Sequence, residues 1–147
     1  MRRTHAIVLT LLFAALTTLP AQAAVPAPTF HPGQMWSIRH SPIRIVIGNI
    51  DPAPGGKTAI GISLLNVPCP PIAGCVTTTV SHLAYDAAAL AASVDKLLAA
   101  HAPLGDDYAL RYDHWKALKG PLTTVPVSEV LPQLFKLVPN DPHGVAP

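Results

Sequence analysis

Two stretches decide how this chain is read: IRIVIGNI, residues 43–50, and TAIGISLLNV, residues 58–67. β-Branched residues are dense in both. Apolar side chains alternate with a period of two at Ile43, Ile45 and Ile47 and again at Ile60, Ile62 and Leu64. That period predicts strands with one apolar face. DPAPGGK (51–57) lies between them: proline fixes φ and the paired glycines permit positive φ, so a hairpin loop is expected there. MWSIRH (35–40) reads as a preceding strand and VTTTV (76–80) as a fourth.

Beyond residue 85 the pattern becomes helical. Asp86 suits an N-cap for a helix reaching Ala100, with Leu90, Val94, Leu97, Leu98 and His101 at helical spacing. A second helix is expected from Asp106 or Asp107. It aligns Tyr108, Tyr112, Trp115 and Lys119 on one stripe until Gly120-Pro121 stops it. Residues 122–127 read as a short extended piece. Val127, Val130, Leu131, Leu134, Phe135 and Val138 then predict a third, strongly amphipathic helix, with Pro132 tolerable only in its first turn. Strands first and helices after predict an α+β fold: an antiparallel sheet of three to four strands packed against two or three C-terminal helices.

The first 23 residues have the layout of a secretory signal: Arg2 and Arg3, an apolar run from Ala6 to Leu19, and a small-x-small site at Ala21-Gln22-Ala23. Cleavage near Ala23 and a periplasmic or secreted destination are therefore expected. The run is shorter than the ~20 residues that span a bilayer, and no second one follows, so no membrane span is expected. Residues 24–33 and 139–147 combine Pro, Gly and small side chains without periodicity and read as flexible ends. A single domain over residues 34–138 remains. Removing Arg2 and Arg3 leaves eight basic residues against eight acidic ones. A neutral chain without a basic run lacks the electrostatic footprint of a nucleic-acid or anionic-membrane binder.

Few side chains suggest chemistry. Gly56-Lys57-Thr58 ends like a phosphate-binding loop, but the glycine required five positions earlier is Asp51. Ser81, His82 and Asp86 carry the residue types of a hydrolytic triad; successive strand residues, however, point to opposite faces. Asp106-Asp107 is the one adjacent acidic pair, and helix capping accounts for it. Arg39 and Arg44 flank a short link and repel one another unless an acid or an anion separates them. Trp36, Arg39, His40 and Arg44 are therefore the candidate binding surface. PCPPIAGC (68–75) holds both cysteines. Export places them in an oxidising compartment, where Cys69 and Cys75 are expected to form a structural disulfide. The alternative is a zinc or copper site made by Cys69, Cys75 and His82, with His40 as a further ligand, although Cys-x5-Cys is not a zinc-knuckle spacing.

GQMWSIR (33–39), IVIGNI (45–50) and YDHWKALKGPLTTVPVSEV (112–130) resemble uncharacterised small exported bacterial proteins that share a Trp-Ser-Ile-basic opening and a Tyr-x-x-Trp ending. The resemblance implies export and one domain and carries no activity. The overall expectation is an exported, non-catalytic binding protein of the inhibitor, immunity-like or envelope-accessory kind, with no cofactor and with a protein or small ligand of the cell envelope as partner. One rival is a small hydrolase, which requires Asp, His or Ser side chains converging in a pocket. The other is a metal-binding protein using the cysteines.

Overall fold

The computed structural model describes residues 26–69 and 74–136. The expected signal segment, Val138 and the C-terminal tail lie outside the described residues. The fold is α+β, as expected. Strands β1 (Met35–Ile38), β2 (Arg44–Ala53), β3 (Lys57–Pro68) and β4 (Thr77–Asp86) precede helix α1 (Ala87–Ser93); β5 (Val94–Ala99), α2 (Tyr108–Ala117) and α3 (Val127–Lys136) follow. The sheet is antiparallel with strand order β4-β3-β2-β1-β5. Ahead of β1, Phe30 stands edge-on to Trp36, 5.6 Å between centroids, and the Gly33 N–H donates to the Ile47 carbonyl at 2.7 Å. Among the described residues, no helix is long and apolar enough to cross a membrane.

The sheet has five strands where three to four were expected, and the additional one comes from the segment read as helix up to Ala100. Asp86 does cap α1, accepting the Ala88 N–H at 3.0 Å. The helix ends seven residues later. Ser93 Oγ donates to the Ala89 carbonyl at 2.8 Å and accepts the Val127 N–H at 2.9 Å, and Val94 is already extended. Beyond it β5 takes the free edge of β1, pairing Val94 with Ile38 and Leu97 with Trp36. The Lys96 N–H donates to Ser37 Oγ at 3.0 Å where the register shifts. Spacing of Leu90, Val94, Leu97 and Leu98 fits a helix equally well; an unsatisfied row of backbone groups along β1 favours the strand. His101 consequently follows a strand and not a helix.

One face of the sheet is aliphatic. Ile45, Ile47, Ile62 and Leu64 are fully buried there with Ile43, Ile60 and Tyr85, against Leu90 of α1 and Val127 of α3. Val130, Leu131 and Leu134 of α3 extend the packing, as their spacing predicts. Pro132 lies in the second turn of α3, not the first. It and Ser128, whose carbonyl loses its helical donor, are both exposed, so solvent can take the missing place.

The opposite face is built differently, and a single apolar face does not describe it. Val46, Gly48, Ala59, Gly61, Ser63 and Ala84 are buried there beneath α2 and the turn before it. A methyl group at Gly48 or Gly61 would overlap the Tyr108 side chain, so the two glycines let that ring reach the backbone. Between the pairs Ile47↔Ile62 and Ile50↔Ile60, β2 carries one extra residue. The bulge frees the Asn49 N–H, which donates to the Tyr108 hydroxyl at 2.9 Å. A second bulge in β4, between Leu83 and Val80, leaves the Ser81 carbonyl to accept from Ser63 Oγ at 2.7 Å. Ser63 also receives the Gly105 N–H at 3.1 Å. Cys69 and Cys75 form a disulfide with Cα atoms 5.8 Å apart, closing the β3–β4 connection.

Candidate functional site

The distinctive chemistry gathers where α2 crosses β4 and the end of β2. On a helix, residues 108, 112 and 115 share one side. Tyr108 and Tyr112 stack with centroids 6.2 Å apart at 6°, and Tyr112 and Trp115 at 6.3 Å and 25°. His82, displaced by the β4 bulge, enters this row from the sheet. Its ring centroid lies 5.3 Å from Tyr108, 5.8 Å from Tyr112 and 5.7 Å from Trp115. His82 Nε2 is buried and has no hydrogen-bond partner among the described residues. Burial among rings disfavours the imidazolium and lowers its pKa from the ordinary 6.5. Burial likewise raises the Tyr108 pKa, against the opposing effect of the Asn49 N–H.

Asp51 of β2 ties down the outer side of the row. It accepts the Tyr112 hydroxyl at 2.8 Å and lies 3.6 Å from Lys116 Nζ. Lys116 also donates to the Tyr112 oxygen at 2.9 Å and sits 5.2 Å above that ring. The Tyr112 hydrogen bond, reinforced by the Asp51 charge, raises the Lys116 pKa. At the end of α2 the Trp115 Nε1–H donates to the Pro121 carbonyl at 3.2 Å, and the Gly120 N–H to the Trp115 carbonyl at 2.9 Å. Gly120 has no room for a Cβ because the indole occupies that space.

Trp115 thereby becomes the common wall of two clefts. One, about 400 Å³, runs between the indole and the β2–β3 loop; Pro52, Pro54 and Leu122 line it, with Lys116 and Lys119 at its rim. The other, about 620 Å³, follows the outer surface of α2 past His82, Arg111 and His114. Leu110 and Leu118 border it and are 72% and 67% exposed, high values for leucine.

The residues singled out from sequence sit elsewhere. Trp36 is half-buried against Phe30, and its Nε1–H donates to Gln34 Oε1 at 3.1 Å. Arg39 lies 3.7 Å from Asp95 of β5. Arg44 donates to the carbonyls of Ser41 and Ile43, both at 3.0 Å. His40 is exposed in the turn with φ 56°. Arg39 and His40 therefore form the β1–β2 turn and Trp36 and Arg44 flank it, with three of the four held by internal partners.

Ser81 and His82 line a notch of about 230 Å³ with Thr79 and Arg111, yet no hydrogen bond joins serine to imidazole among the described residues. Asp86 is committed to its cap and to Lys57, 3.9 Å away. Asp107 occupies the N-cap position of α2 without a side-chain cap bond. The disulfide removes both thiolates from the set Cys69, Cys75 and His82, and the imidazole is turned into the aromatic row. Among the described residues, no cluster of three or more His, Cys, Asp or Glu could hold a metal ion.

Tyr108, Tyr112, Trp115 and Lys119 were visible as a stripe, but nothing in their spacing shows that the stripe covers glycine-lined backbone. Gly48 and Gly61 inside strand patterns were the available signal, since such glycines mark a close approach. No family model matches the chain, and neither a curated protein nor a solved structure matches it.

Proposed function

We propose that this protein is an exported, non-catalytic binding protein of the cell envelope that takes its ligand at Trp115. The observation that carries the reading is the placement of one anchored indole between two adjacent clefts. Tyr112 supports it by stacking, Pro121 holds its N–H, and the absence of a side chain at Gly120 makes room for it. A rigid aromatic anchor beside apolar walls with a few charged groups is the usual make-up of a recognition site. Export is supported by the signal-like N-terminus and by a disulfide in a small domain. The balanced charge beyond residue 23 favours a protein or small ligand over nucleic acid.

A hydrolytic reading requires a base that reaches the proton it removes. His82 Nε2, which has no hydrogen-bond partner among the described residues, is enclosed beneath three rings, which favours binding over turnover. The β1–β2 turn, with Arg39 and His40 exposed, is the competing ligand surface.

The reading is tested with the protein purified as the cell processes it. Fractions of envelope extract are screened for a component that shifts the Trp115 indole N–H signal, alongside assays of generic ester, glycoside and peptide hydrolysis. A response lost in Gly120→Ala and retained in the double variant Arg39→Ala/His40→Ala is expected. Hydrolysis without any such response overturns the proposal, and loss of the response only in the double variant moves the site to the β1–β2 turn.

A further inference from the structure

We infer that the smaller cleft selects a flat apolar monoanion, an aromatic or alicyclic carboxylate, with its ring against Trp115 and its charge at Lys119; this deepens the proposed role of Trp115 and rests on it. The size is appropriate, since about 400 Å³ lies within the ~300–1,000 Å³ range of small-molecule sites. The walls are stiff: Pro52 and Pro54 have fixed φ, and the indole opposite them is held at its nitrogen and by the stacked Tyr112 ring. Stiff apolar walls lose little freedom on binding and favour a flat body.

The sign of the ligand's charge follows from how the charged groups at the rim are used. Asp51 already accepts the Tyr112 hydroxyl and pairs with Lys116, so its carboxylate is not free for a cationic ligand. Lys116 is correspondingly neutralised by Asp51. Lys119 has no ion-pair partner among the described residues, and it lines the same cleft from a left-handed turn, φ 49°. The carbonyls ending α2 would oppose an anion if bare. Those of His114, Trp115 and Lys116 accept the N–H groups of Leu118, Gly120 and Lys119, which blunts that field. One positive charge is left over beside an apolar slot.

Nuclear magnetic resonance titration at low salt tests this, with 2-naphthoate and the neutral 2-naphthalenemethanol as probes. The protein is purified as the cell processes it, and the two indole N–H signals are assigned with a Trp36→Phe variant. The acid is expected to shift the Trp115 signal saturably and to bind about fivefold tighter than the alcohol, the scale of one exposed ion pair. Lys119→Gln should bring the acid to the affinity of the alcohol and leave the alcohol unchanged, and added salt should narrow the wild-type difference. Equal binding of acid and alcohol in the wild type overturns the charge assignment while leaving Trp115 as a ligand site. A Trp115 signal that responds to neither probe overturns the ligand class, and the extract screen then decides separately whether Trp115 binds anything else.

Discussion

The two faces of one sheet carry opposite kinds of packing. Toward α1 and α3, strand residues present isoleucine and leucine side chains that are essentially closed to solvent. Toward α2, the same strands present glycine, serine, alanine and a displaced histidine, and the volume they leave is filled from above by Tyr108 and its neighbours. An aliphatic layer gains from area removed from water and needs no particular partner geometry. A layer of rings and hydroxyls holds only when each polar atom finds its mate, so its positions are specified one by one. The first face gives the domain its stability; the second places an anchored indole at the surface.

Substitutions at neighbouring positions of β3 separate the two roles. Ile62 is fully buried on the aliphatic face, and Ile62→Ala should cost about 3 kcal/mol in a urea titration, within the ~2–5 kcal/mol range for such truncations. A loss below about 1 kcal/mol would show that this face does not carry the fold. The disulfide lies off both faces and clips the hairpin they share. Cys69→Ser/Cys75→Ser should lower stability by about 2.4 kcal/mol, the chain-entropy value for a seven-residue loop. The Trp115 signal should stay in place below the melting transition; its displacement would tie the loop to the clefts.

Gly61→Ala, one residue from Ile62, should cost about 1–3 kcal/mol by overpacking, because the new methyl overlaps the Tyr108 side chain. Hydrogen exchange should rise in α2 and at the Asn49 amide while the α1 and α3 amides remain protected. Uniform loss of protection would contradict the separation of the faces.

The smallest effects come from two orphaned polar atoms, one on each side. The pKa of His82 is lowered by burial, so below about pH 6.5 the unfolded chain binds a proton that the folded chain refuses. Stability is therefore lost as pH falls from 6.5 through the folded value. His82→Phe should flatten this acid limb in urea midpoints taken between pH 5 and 7.5, and identical profiles would refute the assignment. Tyr85, whose buried hydroxyl has no partner among the described residues, has its pKa raised from 10 to about 12. The stability of its neutral form is present below pH 10 and lost as pH rises toward 12. Tyr85→Phe should remove that alkaline limb. At neutral pH it should be neutral or stabilising by under about 1 kcal/mol, since an unsatisfied donor is deleted.

Much of the fold was legible because it rests on local periodicity. Ile43, Ile45 and Ile47 alternate, Gly55 and Gly56 do take positive φ in the hairpin loop, and Asp86 caps its helix. Most of the candidate site was not legible. Its histidine comes from a bulge, its aromatic stripe covers a face that reads as nearly featureless, and its tryptophan depends on a glycine five residues away. Arg39 and Arg44 drew notice as a like-charged pair, yet Asp95 stands beside Arg39 through the strand pairing of β5.

By itself the amino-acid sequence determined the α+β class, the hairpin, α2 nearly to its ends, the start of α3, and the cysteine pairing. Each depends on interactions between residues close along the chain, whose spacing or conformational limits can be read directly. Only the tertiary structure decided that residues 94–99 form a fifth strand, that α2 covers the glycine-lined face, and that Trp115 stands between two clefts. Those outcomes turn on which backbone edge lacks a partner and which surface has room for a ring, and both are properties of the assembled sheet.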